Sequence, residues 1–578
     1  MPQKGANFIV IYLLTLLNAI KFLGLGYSPP GFYIDEAVGA AEVICLAQTG
    51  SDLASLKYPL FAQASALYTP AYLYGELVWT SIFGYQVAAF RSLLVFINIL
   101  TVVFLYLWVQ RKANKKTALY VAFAATIMPW SFQFARIAWD PPFAVLFLVV
   151  ALYFSSFKKG AILAGIFLSF AAYSYPTMRI TAIIFLILIP GIHIRQKIIT
   201  GISFFVVSIP WLLRMLDPIF MEHANSLAIW SNYFGMPYAH ASIFRLTSIF
   251  IVQFVQHFSF NFLFLSGDAS LRSSIQSFGM LSWLDFLALI ILIYLIAKKY
   301  FIKNYQPIFH SYQTSLLITG FIGIIAGVTP AALTVEGIPH ALRAIAAWPF
   351  FALITGIVFS RLAQIMSERR ILGFMLMLGL SFYTLYIFHY FYFYPKKAEY
   401  AFQGGDSNSG LYQRLVSGKA TCQQVQIEYM TNKNPITKID ELIFFGDGGS
   451  GTQYIGRAWP NQEKWGRWSE GDWADIRLPM PIGKPQFLIL TLRAPIFDGH
   501  PKQLVELWIN GIYKETITLT KSEKNQLIIS IPNNAITGEY IWVDFKIINP
   551  VRPKDYGLGD DNRPLGVGIE SAIFKESM

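Results

Sequence analysis

The feature that most constrains this chain is a series of long apolar runs that recurs through its first two thirds. About eleven of these runs are long enough to cross the hydrocarbon core of a bilayer as helices. Hydrophobic residues make up 55% of the sequence and charged residues only 13%, against about 25% charged in a typical soluble domain. Because lipid forces main-chain groups to pair internally, the pattern predicts a polytopic α-helical membrane protein.

Basic residues cluster in short loops between the runs, and the positive-inside rule places such loops in the cytoplasm. This rule predicts a cytoplasmic N-terminus, an extracytoplasmic C-terminus and a long outer segment over 215–278. It also accounts for the net charge of +12 without a nucleic-acid partner. The predicted spans are residues 7–26, 87–110, 117–134, 142–157, 160–175, 180–194, 198–214, 279–297, 314–333, 344–360 and 371–391.

One further apolar stretch, TPAYLYGELVWTSIFG, is predicted to pack at the membrane edge without crossing. If this stretch crossed the bilayer, the basic cluster QRKANKK after the next run would lie outside, against the positive-inside rule. The N-terminal apolar run is too long for a signal peptide and is predicted to be retained as the first span.

The character of the sequence changes at about residue 395. Short alternating segments such as QFLILTLRA and YIWVDFKII, separated by turn residues, are typical of strands, and Asn510-Gly511 indicates a hairpin. We therefore predict a transmembrane domain over 1–394 and an extracytoplasmic β-sandwich over 395–578. The only cysteines, Cys45 and Cys422, both fall on the outer side, and whether they pair is left open by the sequence.

Unusual polar residues gather in the predicted outer loops, close to the ends of spans. Charges at membrane depth are costly and indicate functional sites. A cavity lined by carboxylates and arginines suits an anionic ligand that reacts with a neutral nucleophile. These residues are Asp35, Glu36, Arg136, Asp140, Tyr175, Arg179, Asp268, Arg272, Glu336, His340 and Arg343.

Several of these residues have a structural alternative. Asp140 precedes two prolines and suits a helix cap, or a plain i,i+4 pair with Arg136. His340 suits an interfacial histidine, Arg343 a side chain that snorkels to the interface, and Asp268 a turn. The sequence leaves these alternatives open.

Asp35 and Glu36 are adjacent, and neighbouring residues on a helix do not share a face. Only one of the two is therefore expected to enter the reaction centre, while the other binds or orients substrate. For this pair the structural alternative is a solvated start of a loop.

Five fragments in order resemble the GT-C superfamily of membrane glycosyltransferases, which includes the protein O-mannosyltransferases and the aminoarabinose transferase of lipid A. The resemblance covers about residues 1–395. The matching fragments are the Asp-Glu pair after span one, FARIAWDPPF, YSYPTMRI, FLSGDASLR and PAALTVEGIPHALRA.

The resemblance implies an inverting glycosyltransferase that moves a sugar from a polyprenyl (undecaprenyl) phosphate to a protein, lipid or glycan acceptor at the outer face of the inner membrane. Asp35 is then the general base, and Glu36 orients acceptor or donor. Arg136, His340 and Arg343 would bind the donor phosphate.

Five further residues are then expected to line the site: Asp140, Tyr175, Arg179, Asp268 and Arg272. Some relatives use a divalent metal, but no residue spacing here demands one, and we assign no metal ligands. The alternative functions are a transporter or flippase of a polyprenyl-linked sugar and, less favoured, a membrane-anchored glycan-binding protein.

The C-terminal part resembles a jelly-roll module often attached to such transferases, through KWGRWSEGDWADIRL, VELWINGIYKE and NPVRPKDYGLGDDNRPLGVGIESAIF. The resemblance implies carbohydrate binding, with Trp465 and Trp468 as the main candidates for stacking on sugar rings. Trp459 and Trp473 are further candidates. The alternative is that these tryptophans fill the core of the sandwich.

Overall fold

The structure is a computed structural model, and it describes most of the chain. The described residues are 2–62, 68–188, 193–215, 227–231, 238, 241–301, 309–402, 414–426, 437–456, 458–481, 483, 485–510, 512–531 and 540–577. They form two compact units. The first comprises Met1–Ile229 and Ala241–Tyr429, and the second comprises Trp230–His240 and Met430–Met578.

The first unit is helical. Its helices are α1 Pro2–Ala19, α2 Ile34–Thr49, α3 Pro70–Phe83, α4 Val87–Lys112, α5 Lys115–Ile127, α6 Pro129–Phe134, α7 Pro141–Ser155, α8 Ala161–Ser174, α9 Pro176–Leu188, α10 Ile194–Arg214, α11 Ile243–Gln256, α12 Trp283–Phe301, α13 Ser311–Ala332, α14 Trp348–Ile365, α15 Glu368–Tyr392 and α16 Tyr394–Phe402.

Six helical segments of the described chain are long and apolar enough to cross a membrane. They are Val87–Lys112, Ile194–Arg214, Ile243–Leu265, Ser311–Ala332, Ile345–Ile365 and Glu368–Tyr392. Four shorter apolar helices lie over Val10–Phe22, Pro141–Ser155, Ala161–Ser174 and Pro176–Leu188. This agrees with a polytopic helical membrane protein, while the finer count of 11 spans stays a prediction.

In the described part of the chain, each predicted span coincides with a helix over most of its length, except that one span is divided and one apolar helix was not predicted. Residues 189–192 of the span predicted over 180–194 lie outside the described part. The run predicted over 117–134 is divided between α5 and α6, because Met128 is extended before Pro129. Within the segment predicted as a long outer loop, 215–278, the structure has the apolar segment Ile243–Leu265, whose length the charge-based topology did not anticipate. Residues 216–226, 232–237 and 239–240 of that loop lie outside the described part.

Small residues allow the helices to approach closely, as they do at many helix interfaces in membranes. A side chain at Gly165 of α8 would meet Ser203 and main-chain atoms of α10. A side chain at Gly356 of α14 would meet Val121 of α5. These contacts build a rigid helical frame beneath the loops that carry the polar residues.

The chain beyond α15 returns to the first unit. Cys45 of α2 forms a disulfide with Cys422, which answers the question that the sequence left open. Beside this bond, the Cys422 amide donates to Gln48 Oε1 (3.2 Å), and Gln426 Nε2 donates to the Asp52 carbonyl (2.7 Å). The segment 414–426 therefore packs on α2.

The second unit consists of two antiparallel sheets. The strands are β1 Ile443–Phe444, β2 Gln462–Glu463, β3 Gly466–Glu470, β4 Trp473–Pro479, β5 Phe487–Arg493, β6 Gln503–Ile509, β7 Ile512–Leu519, β8 Asn525–Ser530, β9 Tyr540–Ile548 and β10 Leu565–Lys575. One sheet has the order β2-β3-β10-β5-β8, with β1 also on β10, and the other has the order β4-β9-β6-β7.

Alternate residues of both sheets share one hydrophobic core, in the arrangement of a β-sandwich. Strands β6 and β7 form the predicted hairpin, and Asn510 between them has a φ of 48°. Gly511 itself lies outside the described residues. A jelly-roll topology for this unit stays a prediction.

Candidate active site

A buried ion pair anchors the loop that follows α1. Arg91 Nη2 lies 2.7 Å from Glu36 Oε2 and Arg91 Nε lies 2.8 Å from Glu36 Oε1, with both side chains fully buried. Glu36 Oε1 also accepts the amide of Ala138 at 2.9 Å. The remaining Arg91 bonds go to three carbonyls of the loop, those of Leu25, Pro29 and Gly31.

The resemblance grouped Glu36 with Asp35 in the site, with the role of orienting acceptor or donor, and this placement corrects that expectation. The carboxylate of Glu36 is enclosed, and both of its oxygens are occupied by Arg91 and a main-chain amide. Its role is to fix the first turn of α2 against α4 and the loop before α7.

Arg136 is a second buried anchor for the same loop. Its side chain is fully enclosed and donates to four main-chain carbonyls, those of Lys21, Leu23, Gly24 and Ser28. The rings of Phe132, Tyr390 and Phe391 surround its guanidinium at 5.0 to 5.4 Å. This is not the placement of a phosphate ligand, so the predicted phosphate-binding role of Arg136 is also corrected.

Asp35, in contrast, is exposed in the first turn of α2. The Tyr33 hydroxyl donates to its carboxylate, and the Tyr68 hydroxyl donates to its main-chain carbonyl. Gly39 leaves room for this arrangement, because a Cβ there would lie 2.9 Å from Tyr68 Cε1. Two tyrosines therefore fix Asp35, which itself is exposed.

Asp140 and Tyr175 lie near Asp35. Burial raises the pKa of Asp140 to about 8, and the charge of Asp35 also raises it. The polar groups nearby, the Asp140 amide and Thr69, lower it. Burial likewise raises the pKa of Tyr175. The charge of Arg343 lowers this pKa, and the charges of Asp140 and Asp35 raise it. The charges of Asp35, Asp140 and Arg343 therefore all affect the pKa of the Tyr175 hydroxyl. With a pKa of about 8, the Asp140 carboxyl is mostly protonated at neutral pH.

The loop before α14 carries Arg343 and His340. Arg343 Nη1 donates to Thr334 Oγ1 (2.9 Å) and to the Glu336 carbonyl (2.8 Å), and its Nη2 lies 3.6 Å from the Glu336 carboxylate. The Glu336 side chain is 71% exposed, whereas that of Arg343 is only 12% exposed. The Arg343 guanidinium is therefore largely covered, and its carboxylate partner faces solvent.

His340 lies beside Asp268, with His340 Nδ1 3.9 Å from Asp268 Oδ2. Burial lowers the pKa of His340 to about 3, and the neighbouring Arg343 and His257 lower it as well. The ring is neutral, so it does not supply the positive charge predicted for it. Because Nδ1 faces the Arg343 amide at 3.4 Å, the proton lies on Nε2, and His340 acts as a neutral hydrogen-bond donor.

Asp268 is buried and shapes its surroundings. It accepts the amides of Ser270 (2.7 Å) and Ala341 (2.6 Å) and so joins the loop after α11 to the loop before α14. Burial raises the pKa of Asp268 to about 6, against the lowering effect of these two bonds and of Arg343. Asp268 thus combines the predicted site position with the turn-forming role that was its alternative.

Arg272 and Arg179 have different surroundings. Arg272 is exposed, and its guanidinium lies 4.7 Å from the centre of the Tyr33 ring, which places it beside Asp35. Arg179 lies in the first turns of α9, with its guanidinium 5.1 Å from the ring of Trp211. These contacts place Arg272 against Tyr33, the residue that donates to Asp35, and Arg179 against Trp211 of α10.

The resemblance allows a divalent metal, but few grouped side chains here could serve as its ligands. Within the described ranges, no three His, Cys, Asp or Glu side chains are grouped as metal ligands. Asp35 and Asp140 are two neighbouring carboxyl groups. Whether they take part in binding a divalent metal stays a prediction.

In the second unit, Trp459 is buried in the core, as the structural alternative predicted. Trp465 lies over Gly568 of β10, donates to Glu463 Oε2 (2.7 Å) and is covered by Arg493, whose guanidinium is 4.2 Å from its ring centre. Trp468 contacts it edge-on at 5.2 Å. Carbohydrate binding by these rings stays a prediction.

Three residues of the site were missed by sequence reasoning: Arg91, Tyr33 and Tyr68. Arg91 had a signal, since it is a lone arginine within the apolar sequence that opens the 26-residue helix α4. Tyr33 also had one, as the residue directly before the Asp-Glu turn. Tyr68 had no such signal in the sequence. It lies just before α3, and only the packing of α3 on α2 brings its hydroxyl to Asp35.

No family model and no curated protein matches the chain. Among solved structures, it is similar to ArnT from Cupriavidus metallidurans bound to undecaprenyl phosphate, at 12% identity over 73% of this chain and 74% of that chain, with a TM-score of 0.41. It is also similar to the apo oligosaccharyltransferase of Archaeoglobus fulgidus, at 12% identity over 73% of this chain and 59% of that chain, with a TM-score of 0.41.

The chain thus spans less than two thirds of the archaeal enzyme. At these identities and TM-scores the likeness concerns the fold alone, and it assigns no activity to this chain.

Proposed function

We propose that the protein is an inverting hexosyl- or pentosyltransferase that moves a sugar from a polyprenyl phosphate to an acceptor at the outer face of the inner membrane. One observation carries the proposal: an exposed carboxylate, Asp35, is fixed by two tyrosines, one of which carries the exposed cation Arg272 on its ring. Asp35 and Arg343 both act on the pKa of Tyr175. A base next to cations suits a reaction in which a neutral nucleophile displaces a phosphate.

In this mechanism the acceptor hydroxyl or amine attacks the anomeric carbon of the donor sugar. A new bond forms from the acceptor to that carbon, the bond from the carbon to the phosphate oxygen breaks, and the configuration inverts. The proton of the acceptor passes to the Asp35 carboxylate. No strong acid is needed, because the leaving group is a phosphate.

The negative charge of the departing phosphate needs cations and hydrogen-bond donors. Arg343 and Arg272 supply the charge, and the Nε2–H of His340 supplies a neutral donor. Asp140, protonated at neutral pH, and the hydroxyl of Tyr175 would hold polar groups of sugar or acceptor. A requirement for a divalent metal remains a prediction.

The topology belongs to the same proposal. With a cytoplasmic N-terminus and about eleven spans, the Asp35 loop and the β-sandwich lie on the periplasmic side. The disulfide Cys45–Cys422 supports this orientation, because disulfides persist in oxidising compartments. The jelly-roll topology and glycan binding by Trp465 and Trp468 are further parts of the proposal.

The alternative is a transporter or flippase of a polyprenyl-linked sugar, which shares the cations and needs no base. The experiment uses purified protein in liposomes with radiolabelled undecaprenyl-phosphate sugars and cell-envelope extract. Label transferred to an acceptor supports the transferase. Label that crosses the bilayer still attached to its lipid supports the flippase and contradicts the transferase.

A further inference from the structure

Tyr33 occupies the residue directly before α2, and its ring is only 2% exposed. Its hydroxyl donates to the Asp35 carboxylate. Burial and the neighbouring charge of Asp35 raise the pKa of Tyr33, so the phenol keeps the proton that it donates. The proposed base therefore has a permanent hydrogen-bond donor.

The face of the same ring carries the Arg272 guanidinium, at 4.7 Å from the ring centre. Arg272 Nε donates to the Ala401 carbonyl (3.2 Å) at the end of α16. Within the part of the chain that the structure describes, the terminal nitrogens of Arg272 have no hydrogen-bond partner. They are available to an anion.

Two aromatic rings hold the Tyr33 ring in place. Trp139 contacts it edge-on at 5.4 Å and Phe402 at 5.9 Å, with interplanar angles of 76° and 80°. The Arg272 carbonyl accepts from Gln133 Nε2 at 2.9 Å, which also fixes the main chain of the arginine. Both ends of the arrangement are therefore rigid.

We infer that Tyr33 is a positioning residue that sets the base and the donor phosphate together: its hydroxyl holds Asp35, and its ring holds Arg272 where the phosphate binds. This inference rests on the proposed function. One phenol ring fixes the spacing between the group that takes the acceptor's proton and the group that stabilises the leaving phosphate. A base and a phosphate held at a fixed separation favour in-line attack of the acceptor on the anomeric carbon.

Two substitutions separate the two contacts of the ring. Tyr33→Phe removes the hydroxyl and keeps the ring, whereas Tyr33→Leu removes both. For Tyr33→Phe we expect kcat to fall about 10- to 100-fold, as misplaced reacting groups do, with an unchanged Kd for undecaprenyl phosphate. The acid limb of its pH–rate profile should move to higher pH, because a hydrogen bond to a carboxylate favours the charged form.

For Tyr33→Leu we expect the same loss of kcat and, in addition, a Kd for undecaprenyl phosphate that is about 3- to 30-fold weaker, as for the loss of a cation–π contact. Adding Arg272→Gln to Tyr33→Leu should weaken the Kd no further than Arg272→Gln alone. Tyr74→Phe is the matched control, since the Tyr74 hydroxyl donates to the Pro59 carbonyl away from the site. Melting temperatures of all variants show whether they fold.

The inference is overturned if Tyr33→Phe keeps the wild-type kcat and pH profile, or if a folded Tyr33→Leu variant binds undecaprenyl phosphate as the wild type does. These outcomes leave the transferase reading intact. A wild-type protein that neither binds undecaprenyl phosphate nor transfers sugar overturns the proposed function and this inference together.

Discussion

Two sets of charged residues lie around the loop that follows α1, and they differ in accessibility. The enclosed set consists of Arg91, Glu36 and Arg136. In this set Arg91 bonds to Glu36, and both arginines donate to main-chain carbonyls. The accessible set consists of the exposed Asp35 and Arg272, together with Arg343, whose side chain is 12% exposed next to the solvent-facing Glu336. Both sets come from predicted outer loops or span ends, and the sequence pattern does not distinguish them.

The comparison teaches that a polar residue at a span end has one of two roles, and that burial separates them. Main-chain carbonyls in a turn near lipid need donors, and a buried arginine can supply several at once. Such anchors hold the loop in one shape, and the accessible residues can then be placed for chemistry. Adjacent residues, Asp35 and Glu36, fall on opposite sides of this division.

The largest effect is expected from breaking the enclosed set. Arg91→Met leaves the Glu36 carboxylate buried without its cation, which costs about 3–5 kcal/mol of stability. We expect a strongly lowered melting temperature in detergent and low yield. The matched control is Arg272→Met at an exposed position, which should melt close to wild type; equal losses in both variants would contradict the division into two sets.

The next effect concerns the accessible set. Arg343→Gln should raise the KM of the lipid-linked donor about 10- to 100-fold, the range for losing a hydrogen bond to a charged group. Its melting temperature should stay near that of the wild type. Steady-state transfer assays measure the KM, with Arg179→Gln as a comparison at the α9–α10 contact. A donor KM unchanged in Arg343→Gln would remove this residue from the phosphate site.

The third effect concerns the covalent tie between α2 and the segment 414–426. Replacing Cys45 and Cys422 together by serine, or reducing the wild type, should cost about 2–4 kcal/mol. We expect both to lower the melting temperature alike and to reduce transfer, because α2 carries Asp35. The serine double variant should not respond to reductant. If reductant lowers its melting temperature as much as that of the wild type, the loss of stability does not come from this disulfide.

The smallest effect is a pH dependence at Asp140. Its pKa of about 8 in the folded chain exceeds the ordinary value of an unfolded aspartate, so the folded state binds the proton more tightly. Its contribution to stability is therefore present at low pH and is lost as pH rises through about 8. The melting temperature of Asp140→Asn should fall less than that of the wild type between pH 6 and pH 9; parallel curves would contradict the shifted pKa.

The sequence predicted much of the fold because its signals were local. Apolar length placed the helices, and alternation with an Asn-Gly turn indicated the β6–β7 hairpin. The predicted span 117–134 is divided at Met128. Pro129 was a local signal for this division, but the prediction did not use it. The helix Ile243–Gln256 was not predicted, because its segment was assigned to an outer loop from the charges around it.

The site was predicted in part. The sequence indicated Asp35, Arg272 and Arg343, since charge at span ends can be recognised without a structure. It could not separate them from Glu36 and Arg136, because enclosure depends on residues far along the chain, such as Arg91. The neutral state of His340 also depends on burial and on the neighbouring Arg343, neither of which spacing reveals.

The measurement that tests the central claim most directly compares wild type, Asp35→Asn and the exposed control Asp498→Asn in liposomes. Transfer of radiolabelled sugar from undecaprenyl phosphate to an envelope acceptor is followed, together with binding of the lipid. The account predicts that Asp35→Asn binds the lipid but transfers sugar at least about a hundredfold more slowly, within the range for a general base, while Asp498→Asn behaves as wild type. Equal transfer by wild type and Asp35→Asn would contradict the claim that Asp35 is the base.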